Sequence, residues 1–170
     1  MSQKVLVAYG TKYGATAEIA GRIGITLQKA GFTIDILPAG KVSDVSPYDA
    51  VVLGSAVYAG SWRKDAAQLL IRHEKALSER PVWLFSSGPT GLGDPVTLLN
   101  GWRLPDALRP IAERIHVRDI AVFHGALDLQ KLNLIERLLI RGIKAPAGDF
   151  RDWEAITAWA EGVAKALQSP

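Results

Sequence analysis

Apolar and polar positions run along this chain in blocks, and the repeat length changes from block to block. Short apolar runs occur at residues 4–9 (KVLVAY), 32–37 (FTIDIL), 50–55 (AVVLGS), 82–87 (VWLFSS) and 120–125 (IAVFHG). Their length, their β-branched and aromatic content and their polar or glycine flanks predict strands. The first, third and fourth are nearly continuous, as strands buried on both faces are, whereas FTIDIL alternates and reads as an edge strand. Between the runs the spacing becomes helical. Residues 14–30 carry Ile19, Ile23 and Leu27 four apart and stop at Gly31, a left-handed termination signal. Further helices are predicted over 62–77, 105–115 and 129–143. A last one, over 152–167, has Asp152 as its cap and Trp153, Ile156, Val163 and Leu167 on its buried stripe. Strands alternating with helices predict an α/β fold. The expected architecture is a doubly wound, five-stranded parallel sheet in the order 2-1-3-4-5, with helices on both faces and an extra helix after strand five.

Composition narrows the picture. The 170 residues, 48% hydrophobic and 22% charged, suit one domain spanning 1–170. No apolar stretch approaches the roughly 20 residues a spanning helix needs. The first residues, MSQKVLVAYG, enter a strand without a charged leader or apolar signal segment, so a cytoplasmic protein is expected. Cysteine is absent. That excludes disulfides, thiol nucleophiles and thiolate metal centres, leaving redox chemistry to a bound organic cofactor. The net charge of +3 leans weakly toward anionic partners, but no basic stripe with interleaved aromatics points to nucleic acid. His73, His116 and His124 have no second ligand type at useful spacing, so no metal site is expected. Only His124 stands at a ligand-facing strand end, where it is a candidate proton donor or a hydrogen-bonded structural residue.

Candidate chemistry gathers in three loops. TKYGAT, residues 11–16, follows a buried strand and opens a helix, so free backbone N–H groups and the helix dipole offer an anion site. Thr11 and Thr16 add hydroxyls, and Gly14 permits close approach. The spacing is neither G-x-G-x-x-G nor G-x-x-x-x-G-K-[ST], so a single phosphate is the natural ligand. Ligands of open α/β sheets settle beyond the carboxyl ends of the strands, at the switch point between strands one and three. There SAVYAGSW (55–62) and SSGPTG (86–91) supply small residues that let backbone approach a flat heterocycle. Tyr58 and Trp62 supply aromatic faces, although Trp62 is equally suited to packing under the helix that follows.

In these motifs the chain resembles the flavodoxin superfamily. Residues 11–16 are similar to its phosphate loop, [ST]-x-[ST]-G-x-[ST], with Tyr13 in place of the middle hydroxyl residue. The resemblance implies a flavodoxin-like fold holding FMN without a covalent bond. Thr11, Lys12, Tyr13, Gly14, Ala15 and Thr16 would take the phosphate. Ser55, Ala56, Val57, Tyr58, Ala59, Gly60 and Trp62, with Ser87, Gly88, Pro89, Thr90 and Gly91, would take the ribityl chain and ring.

Within the superfamily the chain is most similar to the menaquinone-dependent protoporphyrinogen oxidase group. The likeness rests on VVLGSAVYAGSW, on HGALDLQKLNLIERLLIRGIK after strand five, and on GDFRDWEAI before the last helix. It implies an FMN-dependent oxidoreductase passing electrons from a reduced heterocycle to a quinone. The alternatives are a flavodoxin-type electron carrier serving redox proteins and a related module that has lost FMN. No side chain stands out as acid, base or nucleophile. Segment 129–143 carries Leu132, Ile135, Leu138, Leu139 and Ile143 on one side, with Lys131, Arg137, Arg141 and Lys144 around them. Such a helix suits a membrane interface beside anionic lipid, or covers the core or a homodimer interface.

Overall fold

The computed structural model describes residues 2–169. Strand β1 (Lys4–Gly10) lies between β2 (Thr33–Pro38) and β3 (Ala50–Tyr58). A short β4 (Ser61–Trp62) folds back antiparallel on β3, and β5 (Val82–Ser87) and β6 (Asp119–Phe123) complete the sheet in the order β2-β1-β3-β5-β6. Counting only the parallel strands, this is the predicted 2-1-3-4-5, and FTIDIL is at the edge.

Period-two alternation sends successive side chains to opposite faces. Val5, Val7, Val52, Trp83, Phe85 and Phe123 face one layer, and Leu6, Ala8, Val51, Leu53, Val82 and Leu84 face the other. Full burial of one such side chain contributes about 1.5–3 kcal/mol, so both faces need cover.

Helix α1 (Ala15–Lys29) covers the first face with Ile19, Ile23 and Leu27. Opposite it lie α2 (Lys64–Arg72) and α3 (Glu74–Ser78), followed after α4 (Pro95–Leu98) by α5 (Arg109–Arg114). Helix α6 (Leu134–Ile143) buries no residue, and α7 (Trp153–Gln168) returns beside α1. Asp152 caps α7 as predicted, accepting from the Ala155 amide.

Three expectations change. Helix 62–77 begins two residues later, because Ala59 and Gly60, at φ +50° and +75°, form a two-residue turn that pairs Ser61 and Trp62 back onto β3. It also steps at His73, which keeps Leu69, Leu70 and Leu77 on the same core. Segment 129–143 is not one helix: a 3₁₀ turn at Leu129–Lys131 precedes the buried Leu132, and α6 starts only where Asn133 and Glu136 form a reciprocal capping box. Nor does its apolar side cover the core, since Ile135, Leu138, Leu139 and Ile143 are 58–71% exposed. Strand β6 stops at Phe123. His124 and Gly125 belong to a turn that leads into β7 (Ala126–Leu127), which pairs with β8 (Gly148–Asp149) and closes the base of the α6 excursion.

Candidate functional site

The carboxyl ends of β1, β3, β5 and β6 point the same way, and their loops converge. After β1, Gly14 takes a left-handed conformation (φ +94°) just before α1, and its amide donates to Thr11 Oγ1 at 3.0 Å. That turn leaves the backbone N–H groups of Lys12, Tyr13, Ala15 and Thr16 without an acceptor among the described residues. They stand at the positive end of α1. Gly10 is equally constrained, because a Cβ there would lie 2.9 Å from Ala66 and Arg63 Cβ atoms. Thr16 is buried and shares a 2.9 Å hydrogen bond with Ser87 Oγ, tying the β1 loop to the end of β5.

Two side chains of this loop reach an unforeseen partner. Lys12 Nζ forms an ion pair with Glu136 Oε1, and the Tyr13 hydroxyl donates to Glu136 Oε2. The Lys12 ammonium and the Tyr13 hydroxyl, with the Asn133 amide, hold the Glu136 carboxyl down at about 2. Glu136 raises the Lys12 ammonium in return. The Tyr13 hydroxyl is therefore committed to α6, and Thr11 and Thr16 supply the loop's hydroxyls. The sequence signal for Glu136 was N-x-x-E, the capping box at 133–136, which locates a helix start but says nothing of what the carboxylate meets across the fold.

The β3 loop divides its residues between scaffold and surface. Ser55 is fully buried, donating to the Ala56 carbonyl and accepting from the Arg63 amide at 2.8 Å. Trp62 is only 6% exposed, and its indole N–H is bonded to Ser86 Oγ at 2.9 Å, which in turn donates to the Arg103 carbonyl. Of the two aromatic faces expected, Trp62 is thus part of the core. Tyr58 is 42% exposed, with the Arg63 guanidinium 5.7 Å from its ring centre, and partial burial pushes its phenol up. Ala59 and Gly60 form the turn beyond it.

The β5 loop runs from the buried Ser87 through Gly88, Pro89, Thr90 and Gly91. Gly88 donates to the Phe123 carbonyl, and Gly125 donates to that of Pro89 at 3.0 Å. The chains pass so closely that a Cβ on Gly125 would lie 3.0 Å from the Gly88 backbone. The loop after β6 thus braces the loop after β5. The fold brings 11–16, 55–60 and 87–91 to one end of the sheet and buries Trp62 in the core.

The model of the family described as "Flavodoxin domain" matches residues 6–154. The chain belongs to the flavodoxin family. Protoporphyrinogen IX dehydrogenase (quinone) of Escherichia coli strain K12 is 22% identical over 189 aligned residues, with 98% of each chain covered. Among solved structures, a flavodoxin from the domain Archaea matches with a TM-score of 0.63 at 10% identity, covering 98% of this chain and 99% of its own. Oxidised flavodoxin 2 of Bacillus cereus gives 0.61 at 18% identity over the same shares. These structures share the fold.

Membership makes this flavodoxin-domain chain an FMN flavoprotein with a redox function, and the residues present suit that group. Unpaired amides around a left-handed glycine fit a terminal phosphate, and two small-residue loops with one exposed tyrosine fit a flat ring.

Proposed function

We propose that this flavodoxin-family chain is an FMN-dependent oxidoreductase that takes electrons from a reduced organic substrate and delivers them to a quinone. The observation that carries the reading is the position of α6. Five large apolar side chains on it, Leu134, Ile135, Leu138, Leu139 and Ile143, are more than half exposed, while Glu136 on the same helix is bonded to Lys12 and Tyr13 of the phosphate loop. An apolar platform beside the cofactor loop suits a lipid-soluble acceptor. The full-length similarity to a quinone-linked dehydrogenase supports the same direction and suggests a porphyrinogen or similar reduced heterocycle as donor.

In this reading the amides of Lys12, Tyr13, Ala15 and Thr16, with Thr11 and Thr16 beside them, hold the phosphate, and Tyr58 with residues 87–91 borders the ring. FMN supplies the hydride and electron chemistry, and the protein supplies binding, orientation and water exclusion. Lys131, Arg137, Arg141 and Lys144 around α6 favour contact with anionic lipid at the cytoplasmic face, where quinone is found. A second reading, an electron carrier for protein partners, is favoured by the likeness to flavodoxin structures.

The deciding experiment reconstitutes the purified chain with FMN and screens a porphyrinogen, reduced nicotinamides and soluble quinones under anaerobic conditions. Multiple turnovers with a donor and a quinone are expected. Bound FMN with no small-molecule turnover, together with rapid exchange with a redox protein, would establish the carrier instead.

A further inference from the structure

His124 is buried at the end of β6, and the cofactor reading above makes no use of it. Its ring is inserted behind the loop that follows β5. Nδ1 is 3.0 Å from the Pro89 carbonyl oxygen, and Nε2 is 2.6 Å from that of Gly93. Both partners are acceptors. A neutral imidazole carries one N–H and one lone pair, so it satisfies one carbonyl and turns a lone pair toward the other. The imidazolium has two N–H donors and satisfies both.

The charged neighbours are compatible with a cation here. Asp94, next to Gly93 and heading α4, has its carboxyl held below the usual range, first by the Thr97 hydroxyl and amide, then with help from the charges of Arg103 and His124. Arg103 donates to the Ile120 carbonyl, and beyond β7 the Arg151 guanidinium is taken up by Asp149, Glu18 and the Ala15 carbonyl. Asp94 adjoins Gly93, whose carbonyl the ring meets, and its carboxylate accepts from Thr97.

We propose that His124 is held as an imidazolium and is the positioning residue that clamps residues 89–93, so that FMN affinity depends on its proton. The proposal rests on the reading of 87–91 as the ring-facing loop. With two N–H donors the ring joins both ends of the loop to the end of β6, alongside the Gly125–Pro89 bond. Loss of the proton removes one of these tethers and sets a lone pair against a carbonyl, and the loop loosens.

The test measures FMN affinity by flavin fluorescence from about pH 5.5 to 8.5, the range in which histidine titrates, for the wild-type chain, H124Q and H124K. The phosphate of FMN titrates equally in all three, so it cancels in the ratio to H124Q. The wild-type advantage over H124Q should shrink roughly tenfold toward high pH, the worth of one charge-assisted hydrogen bond. The lysine variant, which stays cationic, should show no such step. Nitrogen NMR of the FMN-free wild-type chain near pH 6.5, the ordinary histidine value, should show two protonated ring nitrogens, assigned by their loss in H124Q. A neutral tautomer there, or parallel affinity profiles for wild type and H124Q, would overturn the proposal. A wild-type chain that binds no FMN at any pH would instead sink the reading of the loop and the positioning role together, and the NMR result would still decide the charge on His124.

Discussion

At the scale of single residues, the tightest constraint is Gly54 in the middle of β3. A Cβ at that position would lie 2.1–2.3 Å from the Phe85 ring, which itself is fully buried, tilted against Phe123 and edge-to-face with Trp159, with centroids 5.7 and 6.2 Å away. The ring has no room to retreat. Gly54→Ala should therefore destabilise the chain by about 1–3 kcal/mol through overpacking, read as a lower thermal midpoint. Phe85→Leu, which leaves space over the strand, should return much of that loss when combined with it, with a coupling of about 0.5–3 kcal/mol in a double-mutant cycle. Additive losses would show that the contact is relieved elsewhere. A second local case is the Trp62 indole. Trp62→Phe keeps the ring in the core but leaves Ser86 without its donor, so a loss of about 1 kcal/mol is expected in denaturant unfolding.

Among elements, α6 has the least support from burial and the most from one carboxylate. Glu136 closes the capping box with Asn133 and also takes the Lys12 ammonium and the Tyr13 hydroxyl. The other side-chain hydrogen bonds of α6 among the described residues stay within 129–136 and 137. Because the Glu136 carboxyl is lowered from 4.5 to about 2, its contribution is complete above 4.5 and is lost as pH falls from there toward 2. Lys12 is shifted the other way, so its share is complete below 10.5 and is lost as pH rises beyond it. Amide shifts of residues 134–143 should accordingly be flat between pH 7 and 5 and move on further acidification. In Glu136→Gln that acid step should vanish. Persistence of the step in the variant would assign it to another carboxylate.

For the whole molecule, the question is what the exposed side of α6 meets. No helix among the described residues is long and apolar enough to cross a membrane, so contact with lipid would be at the interface. Vesicles containing anionic lipid should carry the chain upward in flotation, less so at high salt, and Leu138→Glu combined with Leu139→Glu should abolish the effect. Equal flotation with neutral vesicles would remove the part given to the basic residues, and none with either would count against lipid. A concentration-dependent dimer that the same substitutions dissolve would assign the face to a second copy.

Much of this was legible in the residue order. Five apolar runs, helical spacing at Ile19, Ile23 and Leu27, and Thr-x-x-Gly-x-Thr after β1 specify strands, a covering helix and a left-handed glycine turn ahead of it, because each is set by neighbours a few residues apart. The family membership follows from those same local patterns. What the order could not show depends on distance in space. Trp62 joined the core because two positive φ angles at Ala59 and Gly60 folded it back onto β3 and against Ser86. Glu136 met the loop after β1 across 124 positions of sequence, and His124 found two carbonyls more than 30 residues away. Local propensity fixes what a segment becomes, whereas hydrogen-bond satisfaction among buried or facing groups is decided only when distant segments share one volume, and tertiary packing alone set those partners.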